Sequence, residues 1–201
     1  MASQRAPGRP PGAPAGESRV ERRRLARHQR LLAIAAQRFA AQGVECVCLE
    51  AIADAADISR GTLYSHFPTK EALVAAIVRP ALEHAVTALS AIDRGRGVAS
   101  VDALLAVWSE LWLEHRDALR VMQHSRAMPL GEIAALHGAL MERVLPVLAG
   151  AAARGALRSD DPALAARILA RLAVPLLELC GEGPEAAARF KDAMHGLLLR
   201  C

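Results

Sequence analysis

From Ser18 onward, apolar residues return every three or four positions, and the rhythm breaks mainly at Gly, Pro or short polar clusters. That period predicts a succession of helices, each burying one face. The composition agrees: the chain has no Asn, three Thr and 3% aromatic residues, while Ala, Leu, Arg and Glu dominate. Strands favour the β-branched and aromatic side chains that are scarce here, so a mainly β fold is disfavoured. At 201 residues and 53% hydrophobic, the chain is long enough for one large core or two small ones.

The breaks divide the chain. Residues 1–17 hold four Pro and three Gly without apolar periodicity, and read as a disordered basic arm. Ser18-Arg19-Val20-Glu21 fits the S-x-x-E capping box of a helix start, and Gly43 is a stop. Short helices are expected over about 49–55 and 60–66, joined by Ala56-Asp57-Ile58-Ser59 with Ser59 as an N-cap. Two short helices across so brief a link read as a helix-turn-helix. A long helix over 69–92, bent at Pro80, leads into segments at about 101–115, 117–127, 130–153, 162–180 and 185–200. Asp161 is the expected cap ahead of Pro162, and Pro146 and Pro175 fall inside apolar helices. The predicted fold class is all-α, with a three-helix unit over 18–68 and a larger helical bundle over 69–201.

Charge is uneven. Residues 1–30 carry eight Arg against two Glu, whereas the remaining 171 hold 17 basic and 19 acidic side chains. A basic N-terminus on a near-neutral body suits a polyanion, either nucleic acid or an anionic membrane surface, or serves as a solvated tail. Charges and prolines interrupt every apolar run, so no membrane span is expected, and no export signal is evident. Four cysteines, two of them at 46 and 48, do not make a disulfide framework, and a cytoplasmic location is expected.

Ile52, Ala53, Ile58, Leu63 and Phe67 supply one apolar face to pack on Leu32, Ala35 and Phe39, while Ala53 and Ala56 permit a close helix crossing. The opposite face of the third helix carries Arg60, Thr62, Ser65 and His66, with the chain's only Tyr at 64. Short polar groups near a helix start reach base edges in a major groove, and flanking ones meet phosphates.

Ile52 through Leu73 follow the pattern I-A-x-x-A-x-[VI]-S-x-G-T-L-Y-x-H-F-x-x-K-E-x-L, and residues 30–73 resemble the DNA-binding domain of the TetR family of transcriptional regulators. The resemblance implies that Ser59, Arg60, Gly61, Thr62 and Ser65 face an operator. It also implies that Tyr64 and His66 hold phosphates and that Lys70 contacts the DNA backbone. Val47 and Cys48 stand where the family usually has Thr or Ser, leaving the position of Cys48 without a hydroxyl cap, and Asp57 replaces a common turn Gly. Residues 31–70 carry only Arg38, Arg60 and Lys70 against Glu45, Glu50, Asp54 and Asp57, so the arginine-rich arm is expected to supply the missing positive charge.

The resemblance further implies a homodimer through the last two helices. Leu164, Ile168, Leu169, Leu172, Leu176 and Leu177 form one stripe there, and Phe190, Met194, Leu197 and Leu198 another, or else they make an intramolecular core. Trp108, Trp112, His115, Met122, His124, Met128, His137 and Met141 would suit a pocket for a small apolar or aromatic effector, or plain core. No histidine pair lies at a tight ligand spacing beside an acidic residue, so neither metal nor cofactor is expected. G-x-S-x-G, Walker A and H-E-x-x-H are missing from the sequence, which argues against an enzyme. The expected function is a ligand-responsive repressor that binds a palindromic operator as a dimer. The alternatives are a regulator switched by oxidation of Cys46 and Cys48, or a helical interaction protein with impaired DNA binding.

Overall fold

The computed structural model describes residues 19–124 and 132–200, and these form eight helices. The expected N-terminal arm and the capping role of Ser18 lie outside the described residues. Helix α1 (Arg19–Gln42) ends where Gly43 turns to φ 83° and its amide bonds back to the Phe39 carbonyl at 2.9 Å. Helix α2 (Leu49–Ala55) begins at Cys48, whose thiol makes no capping bond, so the missing hydroxyl has a structural consequence. The chain then reverses through Asp57 at φ 54°, a conformation short polar side chains tolerate. Helix α3 (Arg60–His66) starts under Ser59, whose hydroxyl accepts from the Thr62 amide at 3.1 Å. Phe39, Ile52 and Leu63, one from each of these helices, have no exposed surface and fix the small unit.

Helix α4 (Lys70–Ser90) is capped by Thr69 and continues past Pro80 as a single helix. It packs on α1 and also on α5 (Val98–His124) and α6 (Glu132–Ala152), joining the small unit to the bundle. Helix α5 is two segments end to end, as the sequence suggests, but they meet at His115, which leaves helical geometry at φ −131°, ψ 30°. Helix α7 (Pro162–Cys180) takes the predicted cap: the Asp161 carboxylate accepts from the amides of Ala163 and Leu164 at 2.8 and 3.0 Å. Helix α8 (Ala186–Leu198) packs along α7. Beyond it, the Arg158 amide donates to the Leu198 carbonyl and the Arg200 amide to that of Ala156, each at 2.9 Å, sealing Leu157 against Leu199.

Two expectations change at this level. Lys70–Ser90 and Ile133–Ala152 are each long and apolar enough on average to cross a membrane, which uninterrupted run length does not reveal. Both are packed among the other helices, and α4 alone buries eight side chains. The apolar stripes of α7 and α8 also divide. Leu169, Leu177, Phe190, Met194 and Leu198 lie inside the subunit's own core, while Leu164, Leu172 and Leu197 stay more than a third exposed.

Candidate functional site

The outward face of α3 is polar and exposed: Arg60, Gly61, Thr62, Tyr64, Ser65 and His66 all reach solvent, with only Leu63 turned inward. Ser59 Oγ lies 2.8 Å from Thr62 Oγ1, and Ser65 Oγ donates to the Thr62 carbonyl at 2.8 Å. These short bonds hold the hydroxyls in place at the surface of the helix. Gly61 has open space around it apart from Ser59, so a partner can approach its backbone closely.

Beside α3, the N-terminal half of α1 contributes Arg23, Arg24 and Arg27 to a groove shared with His28, Thr62 and His66. The His66 ring meets His28 edge-on at 5.8 Å between centroids, and His28 stacks on Phe67 at 5.5 Å. Six of the eight arginines in residues 1–30 lie on α1. Positive charge beside α3 is therefore carried by α1 itself, while the arm expected to add to it lies outside the described residues. Three arginines lining a groove next to exposed hydroxyls make a surface suited to phosphates.

Tyr64 and Lys70 have additional partners. The Tyr64 hydroxyl donates to Glu50 Oε1 at 3.1 Å, which pushes the phenol above its ordinary value. The Glu50 carboxyl is held below the usual range, first by its own backbone amide at the start of α2 and then by that hydroxyl. Lys70 Nζ donates to the Val44 carbonyl at 3.0 Å, pinning the loop between α1 and α2. An ammonium has three protons, so this bond leaves it able to meet a phosphate as well. Cys46 and Cys48 are both exposed free thiols.

A second feature lies in the bundle. Helices α5, α6 and α7 enclose a cavity of about 150 Å³, with Trp108 and Met122 on one wall and His137 and Met141 on another. Ala166, Ala170 and Ala173 of α7 leave the space open. The Trp108 Nε1–H is fully buried and has no acceptor among the described residues. Trp112 and His115, expected in the same pocket, lie elsewhere. The Trp112 ring is 5% exposed and sits beneath the guanidiniums of Arg116 and Arg120 at 5.2 and 5.3 Å. Arg120 in turn pairs with Glu178 at 2.6 Å. His115 turns to α4 at the break in α5. The side chain of His124, and all of Met128, fall outside the described residues.

The histidines are also less scattered than their spacing suggests. His84 and His115 stand 31 positions apart in the chain, yet their ring nitrogens are 3.2 Å apart, with Glu114 beside them. His115's pKa is lowered, first by burial and then by His84, against the raising pull of Glu114. His84 contributes from α4, so a search along any one helix misses the cluster.

Comparison with known proteins agrees with this geometry. The family described as bacterial regulatory proteins, tetR family, matches residues 31–77. The HTH-type transcriptional repressor KstR2 of Mycolicibacterium smegmatis is 32% identical over 117 residues, an alignment covering 53% of each protein. The chain thus spans about half the length of that curated relative. Among solved structures, the probable transcriptional regulatory protein RHA5900 is 28% identical with a TM-score of 0.66, covering 86% of this chain and 96% of its own. The fold is also that of AibR, solved in complex with isovaleryl coenzyme A and operator DNA, at 21% identity and a TM-score of 0.68 over 86% of this chain and 98% of that one. The motif, the helix order and these matches agree: residues 31–77 form a domain of the tetR family of bacterial regulatory proteins, and the chain around it has the fold of such transcriptional regulators.

Proposed function

We propose that the chain is a dimeric transcriptional repressor that reads operator DNA with α3 and is released by a small apolar effector. The observation that carries this reading is the exposed polar face of α3 set beside the three arginines of α1. Arg60 and Thr62 read base edges, while Ser59, Ser65 and the Gly61 backbone approach the groove closely. Tyr64, His66, Lys70 and the N-terminus of α2 at Cys48 meet phosphates. The DNA-reading unit is residues 18–68, and residues 69–201 hold the effector and the partner subunit.

The partly exposed Leu164, Leu172 and Leu197, with the largely exposed Leu179, give α7 and α8 an apolar outer face suited to a second copy. The cavity, lined by Trp108, Met122, His137 and Met141, holds an acyl chain or a single ring. The acyl group of a thioester such as the one bound by AibR is of this kind. Effector binding shifts the dimer towards a form whose two recognition helices no longer match successive major grooves.

Selection from random duplexes tests the reading. The expected result is a palindrome whose half-sites lie about 34–36 Å apart, centre to centre. In the same selection, Arg60→Ala should relax the preference at one position in each half-site. Recovery of no common sequence would refute the proposal, and an Arg60→Ala variant with unaltered preference would remove Arg60 from base reading.

A further inference from the structure

Where α4 passes the break in α5, three metal-ligating side chains converge. His84 Nδ1 lies 3.2 Å from His115 Nε2 and 3.4 Å from Glu114 Oε2, and the third side of the triangle is 4.0 Å. Around a tetrahedral zinc with bonds of about 2.0–2.1 Å, neighbouring ligand atoms stand about 3.3 Å apart. The triangle is therefore close to three corners of such a site.

Two further features favour an ion over a plain hydrogen-bonded cluster. His84 Nδ1 carries at most one proton and faces two atoms able to accept it, so one contact goes unmet, whereas a cation satisfies all three donors together. Glu114 and His115 are also consecutive, and on a regular helix their side chains would diverge by about 100°. The non-helical backbone of His115 brings both towards α4. The two rings are 23% and 29% exposed and the carboxylate 62%, so the imidazoles are sheltered while an ion can enter past Glu114.

We propose that His84, Glu114 and His115 form a binding site for a divalent transition-metal ion of the Zn²⁺ class, with water at the fourth position. Two imidazoles and a carboxylate are a recognised set for zinc that retains an open position. The ion would cross-link α4, which starts four residues after α3 ends, to the kink of α5.

The experiment uses the full chain, stripped with a chelator and with its cysteines alkylated, titrated with Co²⁺ by visible absorption and with Zn²⁺ against a chromophoric chelator. The expected result is one ion per chain with the intense bands of four-coordinate cobalt, and a Zn²⁺-dependent rise in melting temperature. His84→Gln and His115→Gln should each weaken binding by at least about tenfold. Circular dichroism shows whether the variants retain the fold, and Glu114→Gln, on the exposed ligand, gives a milder third variant that should also weaken binding. The proposal is overturned if the alkylated protein binds no Co²⁺, or if a folded His84→Gln/His115→Gln variant binds as the parent does.

Discussion

The bond between Tyr64 and Glu50 places a carboxylate beside a side chain proposed to meet phosphate. Tyr64 is the chain's only tyrosine, so tyrosinate absorbance reports it alone. Its midpoint should lie above the ordinary phenol value and fall back towards it in Glu50→Ala, because the hydrogen bond to Glu50 and its charge raise it. The α2–α3 link is complete between two limits. It is lost on the acid side as pH falls through the depressed Glu50 value, and on the alkaline side as pH rises through the raised Tyr64 value. Removing the carboxylate also removes repulsion from DNA, so Glu50→Ala should tighten binding to all duplexes by several-fold and equally. Binding unchanged or weakened would mean that Glu50 orients Tyr64 more than it repels phosphate. In the bundle, Trp108→Phe keeps an aromatic wall but removes the N–H together with part of the indole's bulk. It should weaken binding of an apolar effector several-fold through lost contact area, as read by calorimetric titration.

Among the elements, α6 shows how closely backbone packing sets the limits. A Cβ at Gly150 would lie 2.3 Å from the Arg94 carbonyl oxygen, in the loop before α5. Backbone on both sides leaves no side chain to move aside, so Gly150→Ala should cost about 1–3 kcal/mol despite Ala's better helix propensity, measured by urea unfolding. A more stable variant would contradict that contact. The helices themselves were legible because their starts and stops are local: Gly43, Asp57, Ser59 and Asp161 act within a turn of their own position. What lay beyond reach depends on which helix faces which. Trp108 and Trp112 share a helical face, yet one lines the cavity and the other lies under two arginines. His84 and His115 meet only because α4 crosses α5 at its break. Apolar spacing along α7 likewise predicts a stripe without saying that Leu169 and Leu177 face inward while Leu164 and Leu172 face out.

At the scale of the whole molecule, the account needs two copies, because one seven-residue recognition helix reads only half a palindrome. The outer face of α7 and α8 should therefore be covered in solution. Leu172→Arg, which leaves the buried side of α7 intact, should shift sedimentation from dimer towards monomer and weaken operator binding by more than tenfold at the same chain concentration. A dimer that survives this change would place the interface elsewhere. The six arginines in the first half of α1 make a second demand, since binding through phosphates must depend steeply on salt.

The most direct test is fluorescence anisotropy of the full chain on duplexes tiled from the DNA flanking its own gene, across a salt series and against bulk competitor DNA. One duplex should survive competitor, with a steep loss of affinity with salt and two chains per site. Weak binding that is equal on every duplex and vanishes with salt would contradict it.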